Sequence, residues 1–115
     1  MPQFFISVNH SDDVGLPDGV AMEDLHAAVM AFNQKMVDEQ RVVFIGALEQ
    51  PAAAAQVVDA SGAEPMITPG TASSAEIQLG GFWILEAASK DEALDLGAQA
   101  SAACHQPVEV RQMQG

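Results

Sequence analysis

The chemistry open to this chain is bounded by how few reactive side chains it has: three histidines and one cysteine. His10 precedes Ser11, Asp12 and Asp13. A histidine titrates near neutrality, so at a strand end beside carboxylates it can act as a general base, with Asp12 assisting. The same residues also describe an exposed loop histidine in an acidic, turn-rich stretch. His26 follows Glu23 by three positions, within reach of it on a helix. That pair can bind a small acidic or carbonyl ligand between helix and sheet, with His26 as a second candidate base, or it can sit at the edge of a helix with no ligand. Cys104 and His105 are neighbours, but adjacent side chains on a helix diverge, and His105 better suits the negative end of the helix dipole.

A metal site needs converging ligands. The sequence has no HxH or HxxxH spacing, and His10 with Asp12 and Asp13 would make only a weak, exposed site, so no metal is expected. It has no GxGxxG and no phosphate-binding loop, so no cofactor is expected either. The aromatic pair Phe82-Trp83 can line a ligand pocket, with Glu23 as a polar contact. In an apolar strand the same pair also reads as the core of an interface between two copies.

The formal charge of −12 comes from 16 acidic and four basic residues. Phosphate backbones and anionic membranes both reward clustered Lys and Arg. Lys35, Arg41, Lys90 and Arg111 are scattered, so neither nucleic acid nor membrane is an expected partner. No apolar run approaches the ~18–20 residues of a membrane span, and the start MPQFFISVNH lacks the basic region of a secretory signal. One cysteine excludes an internal disulfide. A cytoplasmic, bacterial-type protein of one domain over residues 1–115 is the expectation.

The elements that must position these residues follow from periodicity. Gln3–Asn9 reads as a strand with Phe4, Ile6 and Val8 on one face. Residues 10–19 are rich in turn formers. Leu25, Ala28, Val29, Phe32 and Met36 recur at helical spacing, predicting a helix over about 20–39. Arg41–Leu48 reads as a second strand. Gln56–Val58 and Glu64–Thr68 suggest a small hairpin, followed by a loop. Gly81–Ala87 is the next strand. Ser89-Lys-Asp-Glu92 fits a capping box that opens a helix to about Ala103, with Ala93, Leu96, Gly97, Ala100 and Cys104 on one face. Val108–Met113 closes the chain as a strand.

Without the hairpin this order is the split βαβ pattern of a ferredoxin-like α+β fold, with both helices on one face of a four-stranded antiparallel sheet. The opposite face should then be polar. Phe4-Phe5-Ile6, Val42–Ile45 and Phe82–Leu85 instead put apolar groups on both faces. The second face needs a cover, and the same face of a second copy is the simplest one. A homodimer, as a dimeric α/β barrel, is therefore expected. The alternative is that the hairpin or the 69–78 loop folds over the sheet.

Met30-Ala-Phe-Asn33, Gly46-Ala-Leu-Glu-Gln-Pro51, Gln78-Leu-Gly-Gly-Phe82 and Val108-Glu-Val-Arg111 stand in the order seen in the YCII-related superfamily. Together they resemble its DGPF-domain branch over nearly the whole chain, from Phe4 to Met113. The resemblance implies a ferredoxin-like dimeric α/β barrel. It also implies a largely uncharacterised function, genes often near extracytoplasmic-function sigma factors, and a kinship with muconolactone isomerase-type barrels, some of which are thought to use a His and an Asp. The Asp-Gly-Pro-Phe signature falls on Pro69-Gly70-Thr71-Ala72, where only the glycine is kept. The helical histidine of the catalytic branch falls on Val29, one turn from His26.

Three readings of function follow. The first is a homodimer binding a small molecule in a helix–sheet cleft. The second is a lyase or isomerase with a histidine general base. The third is a structural or regulatory module linked to sigma-factor signalling.

Overall fold

The computed structural model describes residues 1–11, 16 and 18–115. Among the described residues, six strands and two α-helices follow in the order β1 (Gln3–His10), α1 (Met22–Asp38), β2 (Val42–Ala47), β3 (Gln56–Asp59), β4 (Met66–Pro69), β5 (Gln78–Glu86), α2 (Lys90–Cys104) and β6 (Val108–Gln112). The order across the main sheet is β2-β5-β1-β6, with each pairing antiparallel. This is the ferredoxin-like α+β arrangement expected from the order of elements. β3 and β4 pair only with each other, as the hairpin anticipated between β2 and β5.

Side-chain alternation sorts the sheet into two faces. Phe4, Ile6 and Val8 of β1 and Trp83 and Leu85 of β5 point toward the helices and are buried. There they meet Phe32 and Met36 of α1 and Ala93, Leu96 and Ala100 of α2. The α2 face is small because it lies close to the sheet: a Cβ on Gly97 would come within 2.7 Å of Val110 Cγ2. Ser89 caps this helix by accepting from the Glu92 amide at 3.2 Å. The Glu92 carboxylate reaches back to the Ala88 amide, one residue earlier than a capping box requires. It also joins Arg41, which donates to the Glu86 carbonyl and so ties the start of β2 to the end of β5.

The other face is apolar at its centre. Phe5 and Phe82 lie 5.3 Å apart between ring centroids, and Phe44 stacks on Phe82 at 5.9 Å. Gly46 makes room for these rings, since a Cβ there would fall 2.9 Å from Phe44 Cε1. Phe44 remains 54% exposed, so the hairpin and the 69–78 segment do not close over it.

The sequence placed the start of β5 three residues late. Gln78, Leu79 and Gly80 already belong to the strand. A register shift after Val8 sets Asn9 opposite Leu79 while Val8 faces Gly81, leaving Gly80 unpaired in a bulge. The glycine pair Gly80-Gly81 thus sits at an irregularity within the strand.

Candidate functional site

His10 continues the helix-side face of β1, two residues after Val8, and its ring lies directly over Gly80, the unpaired residue of the bulge in β5. A Cβ on Gly80 would lie 2.2 Å from His10 Nε2, so the imidazole occupies space that only a glycine leaves free. The ring is oriented by its other nitrogen, since Nδ1 lies 2.9 Å from the Ser11 carbonyl. A carbonyl oxygen can only accept, so Nδ1 is the donor in this contact.

A cleft of about 400 Å³ opens at this end of the molecule between α1 and the sheet. His10, Gly80 and Trp83 contribute from the sheet, Val29 and Asn33 from α1, and Gln106 from the turn after α2. The volume is typical of the smaller small-molecule sites. Trp83 is fixed twice. Its indole N–H donates to Asn33 Oδ1 at 2.7 Å, and its ring meets Phe32 edge-on at 5.5 Å. Cys104 borders the cleft as well, and burial pushes its thiol pKa upward, which keeps it protonated near neutrality and a poor nucleophile. A larger cavity, about 570 Å³, lies beneath the hairpin. Alanine, valine and leucine make up most of its walls, with Glu49, Gln56, Thr71 and Gln78 as polar groups, and the Gln78 amide already donates to the Ser73 and Ala75 carbonyls.

The sequence candidates separate clearly against this geometry. His10, Trp83 and Phe82 border the cleft, although the Phe82 ring packs with Phe5 and Phe44. His26 and Glu23 are exposed on α1 and do not line it. They lie three and six residues before Val29, toward the exposed start of α1. Asp12 lies outside the described residues. Asn33 and Gln106 were not singled out from the sequence. For Asn33 a signal existed: it follows Val29 by four positions and so shares its helix face. Gln106 follows a helix whose end is set by His105 in the left-handed conformation, at φ 57°, and no periodicity points to it. Among the described residues no group of three metal-ligating side chains converges, and no helix is long and apolar enough to cross a membrane.

The YCII-related domain model matches residues 4–114. The chain belongs to the YCII-related family. Two of the family-derived positions gain a physical meaning in this YCII-related protein. Val29, where a helical histidine was aligned, does line the cleft, so that wall is apolar here and the histidine comes from β1 instead. Gly70, where the resemblance placed the glycine of an Asp-Gly-Pro-Phe signature, has φ 104°, a conformation that residues with a Cβ rarely adopt. A glycine there therefore has a backbone reason independent of catalysis. A search of curated proteins found no match.

Proposed function

We propose that this YCII-related protein is a homodimer that binds a small molecule in the cleft between α1 and the sheet. The observation that carries the binding reading is the convergence of His10, Asn33, Trp83 and Gln106 on one cleft of about 400 Å³. An aromatic wall with a few placed polar groups is the usual composition of a small-molecule site.

The dimer reading rests on the opposite face. Phe5, Phe44 and Phe82 form an aromatic shelf that the chain's own helices and hairpin leave open. The chain is also extended for its length, with a Cα radius of gyration of 16.2 Å against about 13 Å for a compact fold of this size. Pairing two shelves about a two-fold axis buries both.

Native mass spectrometry of freshly purified protein tests both parts. The expected spectrum is a dimer carrying an additional small mass. A monomer at micromolar concentration sinks the dimer. A clean dimer in which His10→Ala, Trp83→Phe and wild type are indistinguishable in small-molecule binding sinks the cleft.

A second reading, a lyase or isomerase, is favoured by one feature: His10 borders the cleft with its ring held through Nδ1, 2.9 Å from the Ser11 carbonyl. In that case His10 is the general base. His10→Ala then abolishes turnover while leaving the dimer and its stability intact.

A further inference from the structure

The aromatic shelf is too small to hold two copies together on its own. A stable interface of standard size takes about 800 Å² from each partner. Three phenylalanine side chains, even wholly bare, offer about 450–750 Å² together, and Phe5 and Phe82 are already half-buried. A homodimer therefore needs further apolar surface continuous with the shelf.

The shelf face leads to such a surface. Strand alternation sets Leu48 on the shelf side after Phe44 and Gly46, and its amide extends the ladder to the Gly80 carbonyl at 2.8 Å. Leu79 lies opposite Asn9, which shares the Phe5 face of β1. Both leucines border the cavity beneath the hairpin. The apolar face thus runs from the three rings, past the two leucines, to β3 and β4.

The hairpin has the features of a segment that is covered in the assembled protein. Among the described residues its two strands pair only with each other, and the Gly70 amide closes their base on the Ala55 carbonyl at 2.8 Å. Asp59 is the one charged residue in the two strands. Val58 stands directly opposite Ile67, so the two share a face, and they are 65% and 66% exposed. A lone two-stranded hairpin is marginal in water unless it packs on something. Free strand edges carrying apolar, β-branched side chains and little charge are what soluble proteins avoid leaving bare.

We propose that the β3–β4 hairpin is a dimerisation arm, whose Val58–Ile67 face packs on a second copy of this chain and completes the interface begun by the Phe5, Phe44 and Phe82 shelf. The inference rests on the homodimer reading and names the segment that supplies the area the shelf lacks. A second copy is the fitting occupant because shelf and hairpin lie along one continuous apolar face, which a two-fold pairing uses on both subunits.

Hydrogen exchange of the wild type, read by mass spectrometry, tests the arm without altering it. Amides of residues 56–69 should exchange at least about tenfold more slowly in the dimer than in the monomer obtained by dilution or by Phe44→Asp, because packed strands open less often. Ile67→Lys should raise the dimer Kd at least about a hundredfold, since a two-fold interface loses the side chain twice. Thr68→Lys places the same charge one residue along, on the other face of β4, and should leave Kd near the wild-type value. Trp83 emission confirms that the core of each variant is folded. Hairpin amides that exchange equally fast in dimer and monomer, or a Kd that Ile67→Lys leaves unchanged or that both variants raise equally, overturn the arm and leave the shelf dimer standing. A wild type that is monomeric at micromolar concentration removes the homodimer reading and the arm with it.

Discussion

The indole N–H of Trp83 on β5 donates to the side-chain oxygen of Asn33 on α1 at 2.7 Å, joining sheet and helix across the cleft. Trp83 is only 5% exposed, so losing Asn33 deprives a largely buried donor of its partner. Asn33→Ala should therefore destabilise the fold by about 1–3 kcal/mol, the cost of a buried donor left unpaired. Urea unfolding followed by Trp83 emission measures this directly. A midpoint unchanged from wild type would show that the bond does not hold α1 to the sheet.

Gly80 and Gly97 make room for different neighbours, and their alanine variants should behave differently. At Gly80 the new methyl meets the free end of the His10 ring, which can swing aside. Gly80→Ala should stay folded, shift the His10 ring resonances and weaken binding in the cleft. At Gly97 the methyl meets Val110 in the packed layer between α2 and β6. Gly97→Ala should cost about 1–3 kcal/mol through overpacking, lowering the melting temperature by roughly 4 °C or more. Reversed phenotypes would contradict the placement of both residues.

Glu92 gives the fold a pH dependence. Its hydrogen bond from Arg41, reinforced by the Ala88 amide, lowers its pKa from the ordinary 4.5. A carboxylate with a lowered folded pKa stabilises the protein above its unfolded pKa, and that contribution is lost as pH falls through the folded value. Glu92→Gln should thus be less stable than wild type at pH 7. The difference should narrow progressively below about pH 4.5. Parallel urea curves at pH 7 and pH 3 settle the matter, and a constant difference across them would rule out the charge as its source.

Phe44 is the exposed member of the aromatic shelf, so replacing it leaves the monomer's own core untouched. Phe44→Asp should convert the proposed dimer to monomer. A two-fold interface loses two phenylalanines at once, each worth about 1.5–3 kcal/mol, which raises Kd by at least about a hundredfold. Sedimentation velocity gives the answer. A variant that stays dimeric at low micromolar concentration would place the interface elsewhere.

Burial raises the pKa of the Cys104 thiol, so iodoacetamide should modify it slowly in the native protein at pH 8 and rapidly in urea. Native-state alkylation as fast as that of a free thiol would remove Cys104 from the packed wall of the cleft.

The fold could be read from the sequence because its signals are local. Phe4-x-Ile6-x-Val8 alternates as a strand must, Val29, Phe32 and Met36 recur as a helix must, and Ser89 with Glu92 announces the second helix. The buried face of α2 was anticipated residue by residue at Ala93, Leu96, Gly97 and Ala100. The excess of apolar groups on three strands likewise anticipated that the second face of the sheet is apolar at its centre.

The candidate site was read less well, because it depends on relationships between distant segments. Alternation requires Phe82 and Trp83 to face opposite ways, but only the pairing of Trp83 with Ile6 decides that Trp83 turns toward the helices. His10 and His26 looked equally eligible from their neighbours in sequence. The alternation of β1 carries His10 to the cleft, over the space that Gly80 leaves free, while His26 is exposed on α1. By itself, the sequence determined the elements, their order and their apolar faces, since each follows from the chemistry of a few consecutive residues. Only the tertiary structure decided which side chains share a cleft, because that depends on strand register and helix rotation, and both are set by packing across the whole core.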